Sequence, residues 1–397
     1  MENFPKNFRE KPSVMFSILT KEDYEKNTNL IGPRGYTFDQ AIQCGLCYIY
    51  AFCKTVQIRI CFVFAKTCLL TLYYTKGLDG KGRTGVAIPD EESYYLWRGF
   101  YDKVIEARHN FVPDAIHKSD LDYTKIDARK LPADLNDFCV STRISATRNI
   151  SGFGLAPSIT RSERREVSRI IQTSLSGLTG DLEGKYYSLE TLSKEDSESL
   201  RADHFLFQIP NNNAMIHASG GCRDWPESRG IFHNKGKTFA VWVNEEDQVR
   251  VISLQQGGDV KKVFVRWCIG VNEVEKSMKA IGRTWMQNQH VGNFSSCVCN
   301  IGTGLRASML IKIPNILKQI GQDRLKDFCA SMRIDCQASG SENTTIGSDG
   351  KVDISNYDRI GKSEVELVQI LVDGVIKLID VEKKAKDGTD IKPLLSD

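Results

Sequence analysis

Apolar residues recur at helical spacing through Pro89–His109, where Tyr94, Trp97 and Phe100 share one stripe, so this stretch predicts an amphipathic helix. Thr238–Val243 and Val249–Leu254 are apolar runs of strand length joined by Asn244-Glu245-Glu246-Asp247-Gln248, and they predict a hairpin. Met309–Ile313 predicts another strand, and Lys261–Ile281 a long helix. Thr160-x-x-Glu163 and Ser363-x-x-Glu366 carry the capping-box pattern, opening one helix through Ile171 and a last one running to about Lys384. Met1–Leu46 predicts helix in pieces, with Gly32-Pro33 and Gly35 marking a turn. Strands that are neighbours in the chain predict a largely antiparallel sheet with helices on one face, an α+β fold. Phe111–Asp137 is polar and without strong periodicity, and residues 121–136 are the predicted linker between an N-terminal domain (1–120) and a C-terminal domain (137–390).

One stretch breaks the pattern. Cys47–Leu78 contains no acidic residue, holds four of the twelve cysteines and is rich in Ile, Phe, Leu and Tyr. Lys54, Arg59 and Lys66 interrupt it, leaving a longest uncharged run of nine residues, far short of the ~20 that span a bilayer. A buried hairpin is the conservative reading. The alternative is a translated intron, because Gly45-Leu46 is echoed by Gly77-Leu78 and the ordinary charge pattern resumes at Asp79. Peptide mapping of the mature chain decides between them: peptides from within the segment would dispose of the intron.

At 397 residues the chain accommodates about two domains. Hydrophobic and charged fractions of 41% and 26% are those of a soluble globular protein, and a net charge of +3 without a basic tract argues against a nucleic-acid partner. The first twelve residues mix Glu and Lys with Pro, unlike a signal or transit peptide, so the expected location is cytoplasmic, with no membrane contact. The cysteines lack metal-ligand spacing, which predicts reduced thiols and no bound metal.

Chemistry concentrates in a few places. Cys297–Ser308 reads C-V-C-N-I-G-T-G-L-R-A-S, which is either a glycine turn entering a strand or a backbone cradle for phosphate ending in Arg306. The hairpin tip puts Glu245, Glu246 and Asp247 on one turn just ahead of Arg250, and Ser141-Thr142-Arg143 opens a second basic cluster that includes Arg148. His204 sits among core residues, where a structural histidine is the commoner case.

Taken in order, Cys139–Pro157 (C-V-S-T-R-I-S-A-T-R-N-I-S-G-F-G-L-A-P), Asp203–Phe207, Arg223–Asp247, Cys297–Arg306 and Asp353–Glu364 (D-I-S-N-Y-D-R-I-G-K-S-E) closely resemble the phosphagen, or guanidino, kinases. The resemblance runs from about Tyr36 to Lys384, interrupted only by Cys47–Leu78. It implies a small all-α N-terminal domain plus a larger domain with an antiparallel sheet flanked by helices. It also implies reversible transfer of the γ-phosphoryl of MgATP to a small guanidino compound, with Mg2+ held mainly by the nucleotide. Glu246 matches the carboxylate that aligns the guanidinium, Cys297 the reactive cysteine, and Glu342 a second carboxylate. Ser141, Arg143, His204, Arg250 and Arg306, with Ala307 and Ser308 beside it, match the nucleotide site. Arg108 falls where residues vary with substrate. A homodimer is one of the assemblies the resemblance allows.

The sequence also departs from that pattern. Ser145 and Gln337 stand where the family usually has arginines, Leu310 where it has histidine, and Cys299 where it has a hydroxyl residue. A second reading follows from these changes: a catalytically impaired homologue serving as a nucleotide-binding or interaction protein.

Overall fold

The computed structural model describes residues 13–50, 84–128, 131–202, 205–207, 216–217, 219–338, 347 and 349–395. Its strands, in chain order, are β1 (Cys139–Arg148), β2 (Gly184–Ser188), β3 (Gly230–Asn234), β4 (Phe239–Val243), β5 (Val249–Gln256), β6 (Gln287–Asn288), β7 (Gly292–Asn293), β8 (Leu305–Lys312), β9 (Ile334–Ala338) and β10 (Lys351–Asn356). Eight of them form one sheet in the order β2-β3-β4-β5-β1-β8-β10-β9, and every pairing is antiparallel. The expected α+β architecture is therefore present, with a helical N-terminal part and a larger sheet domain.

The two-residue period of a strand sorts the side chains. Ile144 and Ala146 of β1, Val249 and Val251 of β5, Leu305, Ala307, Met309 and Ile311 of β8, and Val352 and Ile354 of β10 are all buried on one face. Helices Val260–Ala280, Glu364–Lys386 and Arg161–Ser176 contribute to the core on that side. Both predicted capping boxes form, at Thr160/Glu163 and Ser363/Glu366. The opposite face carries Arg143, Ser145 and Thr147, flanked in register by Arg250 on β5 and by Arg306 and Ser308 on β8. Strand β8 begins four residues earlier than its apolar run suggested, because Arg306 and Ser308 alternate with Leu305 and Ala307.

Three expectations change. Pro89–His109 is two helices, Glu91–Leu96 and Arg98–His109, broken at Trp97, whose ring nonetheless remains fully buried. The linker is strapped down, since Ile126 and Leu135 are buried in the large core and Leu121, Tyr123 and Leu131 pack against it. The second core does not respect the domain boundary either. It joins Phe38, Val86, Tyr94 and Phe100 of the N-terminal part to Phe294, Val298, Ile301 and Ile360 of the other.

Beyond the helix Phe38–Tyr50, residues 51–83 lie outside the described residues, and with them most of Cys47–Leu78. Its flanks meet, the Ala87 N–H donating to the Ala41 carbonyl at 2.9 Å. Among the described residues no helix is long and apolar enough to cross a membrane.

Candidate active site

The hairpin tip is a tight turn. Asn244 adopts the left-handed φ of 56°, at which asparagine is tolerated, and its N–H closes on the Gln248 carbonyl at 2.8 Å. Glu245 and Glu246 both reach Arg250, at 3.4 and 3.3 Å. Asp247 turns the other way and is buried. It accepts from Ser295 Oγ at 2.7 Å, the Ser296 N–H at 2.9 Å and Asn149 Nδ2 at 3.0 Å, while Ser296 Oγ donates to the Glu246 carbonyl at 3.2 Å. The carboxylate turn and the cysteine loop are thus one hydrogen-bonded unit, although they lie about fifty residues apart in the chain.

The cysteine loop is held from the N-terminal side as well. Cys297 makes an antiparallel bridge with Ala87, the Ile88 N–H donates to the Ser296 carbonyl at 2.9 Å, and His109 Nε2 lies 3.0 Å from the Val298 carbonyl. Burial, with Arg108 close by, pushes the His109 imidazole down to about 3, so it is neutral at working pH and acts as a strut. The hydroxyl lost at Cys299 has a counterpart: Thr84 Oγ1 lies 4.0 Å from Cys297 Sγ. The sulfur itself is not a free thiol. Cys297 and Cys299 are joined by a disulfide across a Cα–Cα distance of 5.3 Å, which corrects the expectation of reduced thiols here.

Gly302 and Thr303 do not offer their N–H groups to a phosphate. The N–H groups of Gly302 and Thr303 donate to the carbonyls of Asn293 and Arg359 at 3.1 and 2.8 Å. Gly302 is required for close approach: at φ 85°, a Cβ there would sit 2.4 Å from the Arg359 carbonyl. The candidate anion ligands are therefore side chains.

Those side chains are the arginines of the open sheet face. Arg143 and Arg250 both lie over the Trp242 ring, at 5.3 and 5.8 Å from its centroid, and Arg306 pairs with Asp353 at 2.9 Å. Among the described residues Arg143 has no carboxylate partner; burial, then Arg306 and Arg250, push its guanidinium down to about 10. For Arg250, Glu245, Glu246 and Asp247 outweigh the burial that alone would lower it. Ser145 is buried directly opposite Arg306, and Gln337 pairs in register with Asp353 and donates to Asp335 at 2.6 Å. The cluster thus keeps three arginines where the resemblance implies five.

Other predicted residues fare differently. Ser141 and Ser308 lie on the arginine face, but Ala307 points into the core and its N–H is taken by Asn356 Oδ1 at 2.7 Å. Arg148, one residue out of phase with the cluster, is buried on the core side and faces Glu364 at 3.7 Å. His204 and Glu342 lie outside the described residues. Arg108 ends its helix with its guanidinium 4.4 Å from the Tyr357 ring centroid, and its Nε and Nη1 are buried without a hydrogen-bond partner among the described residues. Sequence reasoning missed Arg359, a guanidinium pushed down to about 9 by burial, Arg306 and Arg108, and it missed Asp353 and Thr84. Strand alternation around Arg306 could have flagged Asp353 only once the β8–β10 register was known.

Comparison with known proteins decides the family. Residues 166–385 match the profile described as ATP:guanido phosphotransferase, C-terminal catalytic domain, and residues 9–106 match the corresponding N-terminal domain. Glycocyamine kinase of Hediste diversicolor is 39% identical over 99% of this chain and 91% of its own. The chain belongs to the ATP:guanido phosphotransferase family. A crystal structure of lombricine kinase superposes with a TM-score of 0.83 at 36% identity, covering 100% of this chain and 98% of that one. The duplicated taurocyamine kinase from Schistosoma mansoni, solved with bound transition state analog components, gives 0.77 at 30% identity over 96% of this chain and 48% of that one. These guanido phosphotransferase relatives share the sheet domain and the helical N-terminal part, and they lend no support to the reading of an impaired homologue.

Proposed function

We propose that this phosphotransferase moves the γ-phosphoryl group of MgATP, reversibly, onto a guanidinium nitrogen of a small guanidino compound with an acidic tail, in the cytoplasm. The carrying observation is Arg143: a half-buried guanidinium without a carboxylate partner among the described residues, crowded by two further arginines on one sheet face, beside a turn that presents Glu246. Such a cluster is satisfied by a polyphosphate, whose oxygens accept bidentate hydrogen bonds and whose charge offsets the arginines' mutual repulsion. Magnesium enters with the nucleotide as part of the substrate. Phosphoryl transfer asks little covalent help of a protein, so positioning and charge neutralisation carry the rate.

A guanidinium is a poor nucleophile because its lone pairs are delocalised. Glu246 aligns it and draws its proton, with Arg250 fixing the carboxylate's direction. At the far end Arg108 takes the substrate's acidic group, which supplies the acceptor that its buried Nε and Nη1 lack among the described residues.

The test is a coupled ATP assay over creatine, arginine, taurocyamine, lombricine and glycocyamine. Turnover is expected with at least one, and Arg108→Ala raises KM for that compound far more than KM for ATP. Nucleotide binding by calorimetry without turnover on any of the five would overturn the reading.

A further inference from the structure

Cys297 matches the reactive cysteine of the resemblance, but the proposed chemistry gives no role to Cys299, two residues on. They flank Val298, which is fully buried, and both residues are themselves half-buried. Of the other described cysteines, Cys44, Cys139, Cys268, Cys329 and Cys336 are buried, and Cys222 is half-buried with no second described cysteine two residues away. The backbone that carries the pair is fixed: Ser295 Oγ accepts from the Cys297 N–H at 3.2 Å, the Asn300 N–H closes on the Cys297 carbonyl at 2.9 Å, and His109 reaches the Val298 carbonyl. A pinned turn holds the two sulfurs together whether or not they are bonded, so attack of one on the other has a high effective concentration.

We infer that Cys297 and Cys299 form a thiol–disulfide exchange site, taking a low-molecular-weight disulfide of the glutathione type as co-reactant and interconverting a bridged and an open form of the loop. The Cys297 thiolate attacks one sulfur of the small disulfide; the new bond is Cys297 S–S(R), the small disulfide's S–S bond breaks, and one thiolate RS⁻ leaves. The Cys299 thiolate then attacks the Cys297 sulfur, forms the Cys297–Cys299 bond and expels the second RS⁻. The two protons lost by the cysteines go to the two leaving thiolates. The protein loses two electrons, and the small disulfide gains them. In the bridged form Cys297 carries no negative charge. The effect on rate rests on the proposed function; the exchange chemistry does not.

The experiment incubates the full-length protein with glutathione and glutathione disulfide at graded ratios, traps free thiols by alkylation and maps the peptides by mass spectrometry. Phosphoryl transfer is followed in parallel. The wild type is expected to gain the Cys297–Cys299 bridge without a lasting glutathione adduct, whereas Cys299→Ser accumulates the adduct on Cys297 because nothing resolves it. Dithiothreitol reverses both. Bridging lowers the rate by about 10²-fold, the loss expected when one well-placed charge is removed from a transition state. A lasting adduct on wild-type Cys297 or a bridge to a different cysteine would overturn the inference, and a bridged protein with undiminished rate would overturn its effect on catalysis. If the bridge forms and reverses as described while the reduced protein phosphorylates none of the guanidino compounds, the exchange site stands and the kinase assignment fails.

Discussion

Glu246→Gln is expected to lower kcat by about 10²- to 10⁴-fold, the range for removing a positioned general base, while nucleotide affinity stays essentially unchanged. The amide keeps the shape of the carboxylate and a hydrogen bond to Arg250, and Glu245 continues to neutralise that arginine at 3.4 Å, so the turn has no reason to unfold. What disappears is the acceptor for the guanidinium proton. Glu245→Gln is the control, with a much smaller loss. Steady-state kinetics and nucleotide calorimetry on the two variants separate the roles. Full activity in Glu246→Gln together with a collapse in Glu245→Gln would reassign the base to the neighbouring residue.

The second large effect has two opposite signs. Arg143→Met is expected to reduce the rate by about 10²–10³-fold, since on the proposed function it removes a donor to the charge that develops in the transition state. The same variant is expected to be more stable than the wild type without nucleotide, by ~1 kcal/mol. Arg143 repels Arg250 and Arg306 and is crowded enough that its guanidinium is pushed down to about 10. Methionine keeps the linear stem against Trp242 without the charge. Thermal denaturation with and without ATP checks this: a higher Tm alone, and a smaller rise on adding nucleotide. A lower Tm without ligand would show that the arginine is held by favourable contacts and is not destabilised by its neighbours.

Much of this architecture was legible in the amino-acid order because it depends on local rules. The capping boxes at Thr160 and Ser363, the hairpin through Asn244 and the helix Val260–Ala280 are short-range chemistry, and each formed. The candidate arginines and Glu246 were readable through the resemblance of their motifs. The rest depends on register. Whether Arg306 meets Ser145, or Gln337 meets Asp353, is set by strand pairings among β1, β8, β10 and β9 that no local pattern encodes. The alternation that sends Arg306 to the site sends Ala307 into the core, so adjacent candidates that look equivalent in a motif take opposite roles. Asp247 and Thr84 matter through partners distant in the chain. The bridging of Cys297 to Cys299 was masked by a compositional expectation about compartments, which says nothing of two sulfurs held on one rigid turn.

The shared core of Phe38, Val86, Phe294 and Val298 bears on how such a chain can diverge. The strand-like bridge between Ala87 and Cys297 ties the residues just after residue 83 to the cysteine loop. A change of chain length ahead of Ala87 would therefore be transmitted to the cysteine loop, while the arginines of β1, β5 and β8 keep their register.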